Sequence, residues 1–72
     1  MISREQLVGK LRALGFHYID RKKRVELYGK AGTYVTVPLS DLVEENMVRV
    51  VLGQAGCSPA QTNEFLAGAV KR

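Results

Sequence analysis

Residues 16–38 read FHYI-DRKK-RVELY-GKAG-TYVTVP, and this stretch decides the fold. Phe16-His17-Tyr18-Ile19 is aromatic and β-branched, as a strand requires. Asp20-Arg21-Lys22-Lys23 is a turn, and Arg24-Val25-Glu26-Leu27-Tyr28 then alternates polar with apolar, the period of a half-buried strand. Gly29-Lys30-Ala31-Gly32 is a second turn, and Tyr34-Val35-Thr36-Val37 a third strand that Pro38 closes. Connections this short join neighbouring antiparallel strands, so the stretch predicts a three-stranded meander. The alternation predicts Val25, Leu27, Val35 and Val37 on the face that helices cover. Arg24, Glu26, Tyr28, Tyr34 and Thr36 fall on the other, open face.

Helical patterns flank the meander. Ser3-Arg4-Glu5-Gln6 is a capping box, in which the Ser hydroxyl satisfies an orphan N–H and the Gln reaches back. Leu7, Leu11 and Leu14, with Val8 beside them, make an apolar stripe of about three turns. Gly15 ends it, because glycine tolerates the left-handed cap. Beyond Pro38, Ser40, Asp41 and Asn46 compete as N-caps of a second helix whose stripe is Val48, Val51, Leu52 and Ala55, ended by Gly56. Ser58-Pro59-Ala60-Gln61 is a second capping box with Pro at its permitted first position, and Phe65-Leu66 anchor a short last helix. The expected fold is α+β, helix–strand–strand–strand–helix, an antiparallel sheet packed on two helices, as one domain over residues 1–72.

Seventy-two residues with 46% hydrophobic content and no Trp give a thin core, which a partner or a second copy would help. Eleven Lys and Arg against seven Asp and Glu leave a net charge of +4, favouring polyanionic partners. The single cysteine, Cys57, excludes an internal disulfide and suggests a reducing compartment. No apolar run is long enough to span a bilayer, and MISREQ lacks the pattern of a signal peptide. The expected location is the cytoplasm, away from membranes.

The densest charge is Arg21-Lys22-Lys23-Arg24. On a turn these side chains fan into solvent, where they can neutralise phosphates. The competing reading is a solvated turn that keeps strand edges from pairing. Lys30 on the next turn, with Tyr28 between, adds to the first reading, since aromatics among cations can stack bases. Gly29-Lys30-Ala31-Gly32 also matches the GxxG loop of KH domains, but that loop joins two helices, and here it separates strands. His17 is the only histidine, the side-chain type best suited to proton transfer near neutrality. Nothing in the sequence brings a catalytic set around it, and with Cys57 it cannot complete a four-ligand zinc site. No cofactor or metal is expected. Asp41, Glu44 and Glu45 suit a helix N-terminus without any catalytic role.

The ordered set Ser3-Arg4-Glu5, Leu14-Gly15-Phe16, Val35-Thr36-Val37-Pro38 and Leu52-Gly53-Gln54-Ala55-Gly56 followed by Ser58-Pro59 resembles the HicA family of bacterial toxin–antitoxin systems. The likeness runs from about residue 3 to residue 66. It implies a fold like that of a double-stranded-RNA-binding domain, mRNA interferase activity and a HicB antitoxin as partner. Activity in that family depends on a histidine in a Gly-Ser-His-like motif opening the second strand. Here the matching segment is Lys23-Arg24-Val25-Glu26, so the histidine position holds Val25 or Glu26. Valine transfers no proton. A glutamate beside Arg24 is expected in an exposed ion pair, where it is a weak base.

Losing the catalyst while gaining Lys and Arg points to binding. The leading expectation is a non-catalytic HicA-like RNA-binding protein. Arg21, Lys22, Lys23, Arg24 and Lys30 would contact phosphates, and Tyr28 and Tyr34 would offer stacking surfaces. The enzyme alternative is an active mRNA interferase with a relocated base, His17 or Glu26. The third reading is an interaction module whose open sheet face holds a HicB-like antitoxin or a second copy of the chain.

Overall fold

The computed structural model describes residues 1–70; Lys71 and Arg72, part of the span assigned to the domain, lie outside the described residues. The chain forms β1 (Ile2–Ser3), α1 (Arg4–Ala13), β2 (His17–Arg21), β3 (Val25–Lys30) and β4 (Thr33–Pro38). It continues through β5 (Leu42–Val43), α2 (Glu45–Gln54) and α3 (Pro59–Val70). The α1-β2-β3-β4-α2 succession, with its antiparallel sheet β2-β3-β4, is the expected α+β order; the small second ladder of β1 with β5 was not expected. No helix among the described residues is long and apolar enough to cross a membrane.

Local chemistry sets the helix ends. The Gln6 N–H donates to Ser3 Oγ at 3.2 Å, and the Ser3 N–H donates back to Gln6 Oε1 at 3.3 Å, which is the capping box. α1 closes at Gly15, φ +97°, with the Phe16 N–H on the Leu11 carbonyl and the Gly15 N–H on that of Arg12. This is a Schellman motif, repeated at the end of α2 by Gly56, φ +93°, and the Cys57 N–H bonded to the Leu52 carbonyl. Cys57 is accordingly a half-buried cap residue.

None of the three candidate caps starts α2. Its N-cap is Glu44, without a side-chain cap bond. The reason lies upstream: Leu42 and Val43 pair with Ser3 and Ile2, and the Asp41 carbonyl accepts the Arg4 N–H at 2.8 Å. Those residues are extended in a ladder and cannot begin a helix until it ends. The last helix is also longer than expected, twelve residues, because the Ser58–Gln61 capping box opens it and Leu66 sits in the core.

The core joins Leu7, Val8 and Leu11 of α1, Val48, Val51 and Leu52 of α2, Leu66 of α3, Ile2, Val43 and Phe16 to the inner face of the sheet. That inner face corrects the expected one. Tyr28 stands opposite Val35, and Glu26 opposite Val37, so Glu26 and Tyr28 point towards the helices. Val25, Leu27, Tyr34 and Thr36 share the outer face. The turn is the cause. β3 runs through Lys30 and β4 starts at Thr33, leaving a two-residue connection with positive φ at Ala31 (48°) and Gly32 (83°). This is the type I′ geometry of tight hairpins, and it fixes the register one residue away from that which would put Leu27 beside Val35. A one-residue slip exchanges the faces of a strand.

Candidate nucleic-acid interface

The first turn is later and shorter than the sequence suggested. Asp20 and Arg21 still belong to β2, and β3 begins at Val25, so Lys22, Lys23 and Arg24 form the connection. Its backbone is fixed on both sides: the Lys22 N–H donates to the Val25 carbonyl at 2.8 Å, and the Leu39 N–H to the Arg24 carbonyl at 3.1 Å. All four cations, Arg21 to Arg24, are exposed. Among the described residues the one carboxylate paired with them is Asp20, 3.5 Å from Lys22 Nζ, with both side chains about three-fifths solvated. A surface pair of that kind neutralises little.

Lys30 does not join this cluster. β3 separates it from Val25 by about 17 Å at the usual rise of a strand. Its Nζ donates to the Leu14 carbonyl at 2.5 Å and lies 5.9 Å from the centre of the Phe16 ring. Lys30 therefore caps the C-terminus of α1, where cations are favoured.

Tyr28 is 3% exposed, and its hydroxyl donates to Glu26 Oε1 at 3.1 Å. The register that buries it removes it as a stacking surface. Tyr34 is exposed, but on the outer face. The tyrosine on the helix side with open surface is Tyr18, the cross-strand partner of Tyr28. The two rings meet edge to face, with centroids 6.0 Å apart.

The two candidate bases are held apart. His17 pairs with Gly29 and so shares the outer face with Leu27. Glu26 faces the helices, and its partner is Arg4 of α1 rather than Arg24. Arg4 also donates from Nε to the Pro38 carbonyl at 3.1 Å. Each Glu26–Arg4 side chain is about four-fifths buried. The Glu26 carboxylate is thus occupied within the fold by a guanidinium and a tyrosine hydroxyl.

Between α1 and the first two strands of the sheet lies a cleft of about 460 Å³ bordered by Arg4, Glu5, Arg12, Tyr18 and Glu26. Arg4 precedes Leu7, Val8 and Leu11 by three, four and seven residues and so lies on the apolar stripe of α1, which turns it to the sheet, while Arg12 borders that stripe. Their eight-residue separation, just over two turns, was the signal that puts both on one face. The bulge between Tyr18 and Asp20 shifts the register so that Arg21 stands opposite Glu26. Arg21 therefore faces the same side of the sheet as the cleft, and the basic turn adjoins it. Compared with protein-family models, with curated proteins and with solved structures, the chain matches none of them.

Proposed function

We propose that this chain is a non-catalytic HicA-like protein that binds RNA, with the connection between β2 and β3 on its phosphates. One observation carries the reading: Arg21, Lys22, Lys23 and Arg24 are exposed on a backbone held by hydrogen bonds at both flanks, with a single solvated carboxylate paired to them among the described residues. Charges so placed exchange counterions for phosphates without a folding cost. The ordered motifs resembling the HicA family support RNA as the polyanion. Binding of a structured RNA, followed by fluorescence anisotropy across a salt series, tests it. The Lys22→Ala/Lys23→Ala/Arg24→Ala variant should bind at least tenfold more weakly at low salt. Its salt slope should be smaller by about 2, from the loss of three phosphate contacts. Unchanged affinity and slope in the variant would remove the site.

A second reading is favoured by the corrected outer face of the sheet. Ile19 is 44% and Tyr34 59% exposed there, beside half-buried Val25 and Leu27. A Cβ at Gly29 would collide with the end of the Ile19 side chain and press on the Tyr34 ring, so these two side chains lean together over the glycine. An apolar face of this kind suits a protein partner, a second copy or a HicB-like antitoxin. Light scattering of the purified chain decides for the second copy if it gives a dimer mass that Tyr34→Lys halves.

A further inference from the structure

Resting on the RNA-binding reading, we infer that the cleft between α1 and β2 receives one unpaired nucleobase of the bound RNA, stacked on Tyr18. The volume, about 460 Å³, suits a small planar group and not a duplex. Part of the space exists because Gly9 borders the cleft without a side chain, and a Cβ there would meet nothing within 4 Å. Tyr18 is 48% exposed along this cleft while the buried Tyr28 ring holds it edge to face. Such a ring is steadied from behind and open in front, the condition for stacking a base.

Charge separates base from phosphate. The cleft is bordered by two arginines and two glutamates, Arg4 and Arg12 with Glu5 and Glu26, so its formal charge cancels. A phosphate gains nothing from that lining. A base does, because carboxylates accept from exocyclic amino groups and guanidinium groups donate to ring nitrogens and carbonyls. Arg4 and Glu26 already engage each other, whereas Glu5 and Arg12 form no ion pair among the described residues. Glu5 and Arg12 are the groups left to read the base edge. Arg21, opposite Glu26 on the same side of the sheet, is the first cation met on leaving the cleft, and Lys22 to Arg24 follow. A base in the cleft and its flanking phosphates on the turn are then parts of one continuous contact.

The test compares two RNAs of equal length, a hairpin with an unpaired loop and a fully paired blunt duplex. The parent protein should prefer the loop RNA. Tyr18→Ala should weaken loop binding about 5- to 100-fold, the usual worth of one stacked base, and abolish the preference. Tyr18→Phe should keep it, and Tyr34→Ala, on the opposite face, should leave it unchanged. Circular dichroism shows whether each variant is folded. Equal affinity of the parent for both RNAs, or undiminished loop binding by folded Tyr18→Ala, overturns the inference. In either case the phosphate reading survives if the triple turn variant still loses affinity for both RNAs. If the parent binds neither RNA, both readings fall.

Discussion

Arg4, in the first turn of α1, forms an ion pair with Glu26 in the middle strand, and the same guanidinium holds the last carbonyl of β4. One side chain thus ties a helix to two strands. Removing one member of a largely buried pair leaves the other charge without compensation. Glu26→Gln and Arg4→Met should each lower stability by about 1–3 kcal/mol in urea unfolding. The double variant should lose less than the two single losses combined, with a coupling of about 1–2 kcal/mol. Strict additivity would mean that the pair contributes nothing.

The hairpin connecting β3 and β4 sets which face of the middle strand is buried, so its conformation is open to direct test. Ala31 has φ 48°, a left-handed position that costs a residue with a Cβ about 1–2 kcal/mol. Ala31→Asn or Ala31→Gly should raise the unfolding midpoint, by the equivalent of about 0.5–1 kcal/mol. Gly32→Val, at φ 83°, should lower stability by more than 1 kcal/mol. A stabilising Gly32→Val would mean that the turn is of another type.

Lys30 separates structural charge from the charge proposed to bind RNA. Its ammonium caps α1 through the Leu14 carbonyl, remote from the basic turn. Lys30→Met should cost about 0.5–1 kcal/mol of stability. RNA affinity should fall less than threefold, against the much larger loss from the turn variant. An equal loss of affinity would place Lys30 on the RNA path.

The three sheet strands, the helices and the caps of α1 and α3 were legible in the sequence because each depends on local chemistry. Ser3 with Gln6, Ser58 with Gln61, and the glycines at 15 and 56 need no knowledge of the rest of the chain. The β1–β5 ladder and the start of α2 were not legible, because they rest on a pairing across about forty residues. The face of β3 was not legible. Its residues alternate Val25-Glu26-Leu27-Tyr28-Gly29, and apolarity alone selects Val25 and Leu27 for the core. The structure buries Tyr28, whose ring packs among apolar groups while its hydroxyl reaches Glu26. An Ala-Gly turn gives a weaker signal than Asn-Gly, so the register that decides the matter was hidden. The site divided in the same way. The basic turn is contiguous in sequence and was visible; the cleft of Arg4, Arg12 and Tyr18 is assembled by packing α1 on the sheet and was not.

The enzyme alternative makes its own prediction. A relocated base requires a proton acceptor beside the bound RNA. His17 lies on the outer face, across the sheet from Glu26, so the two cannot serve as an acid–base pair at one phosphate. Glu26 is largely buried and its carboxylate is already engaged by Arg4 and the Tyr28 hydroxyl, so it is not free to reach an RNA hydroxyl. Induced expression of the parent chain should therefore leave growth unarrested, and purified chain should leave RNA intact on a gel. His17→Ala and Glu26→Gln should then be silent in both assays. Cleavage by the parent that Glu26→Gln abolishes, with RNA affinity retained, would establish the nuclease reading with Glu26 as its base. Cleavage lost in His17→Ala would instead place the reactive phosphate on the outer face, away from the cleft.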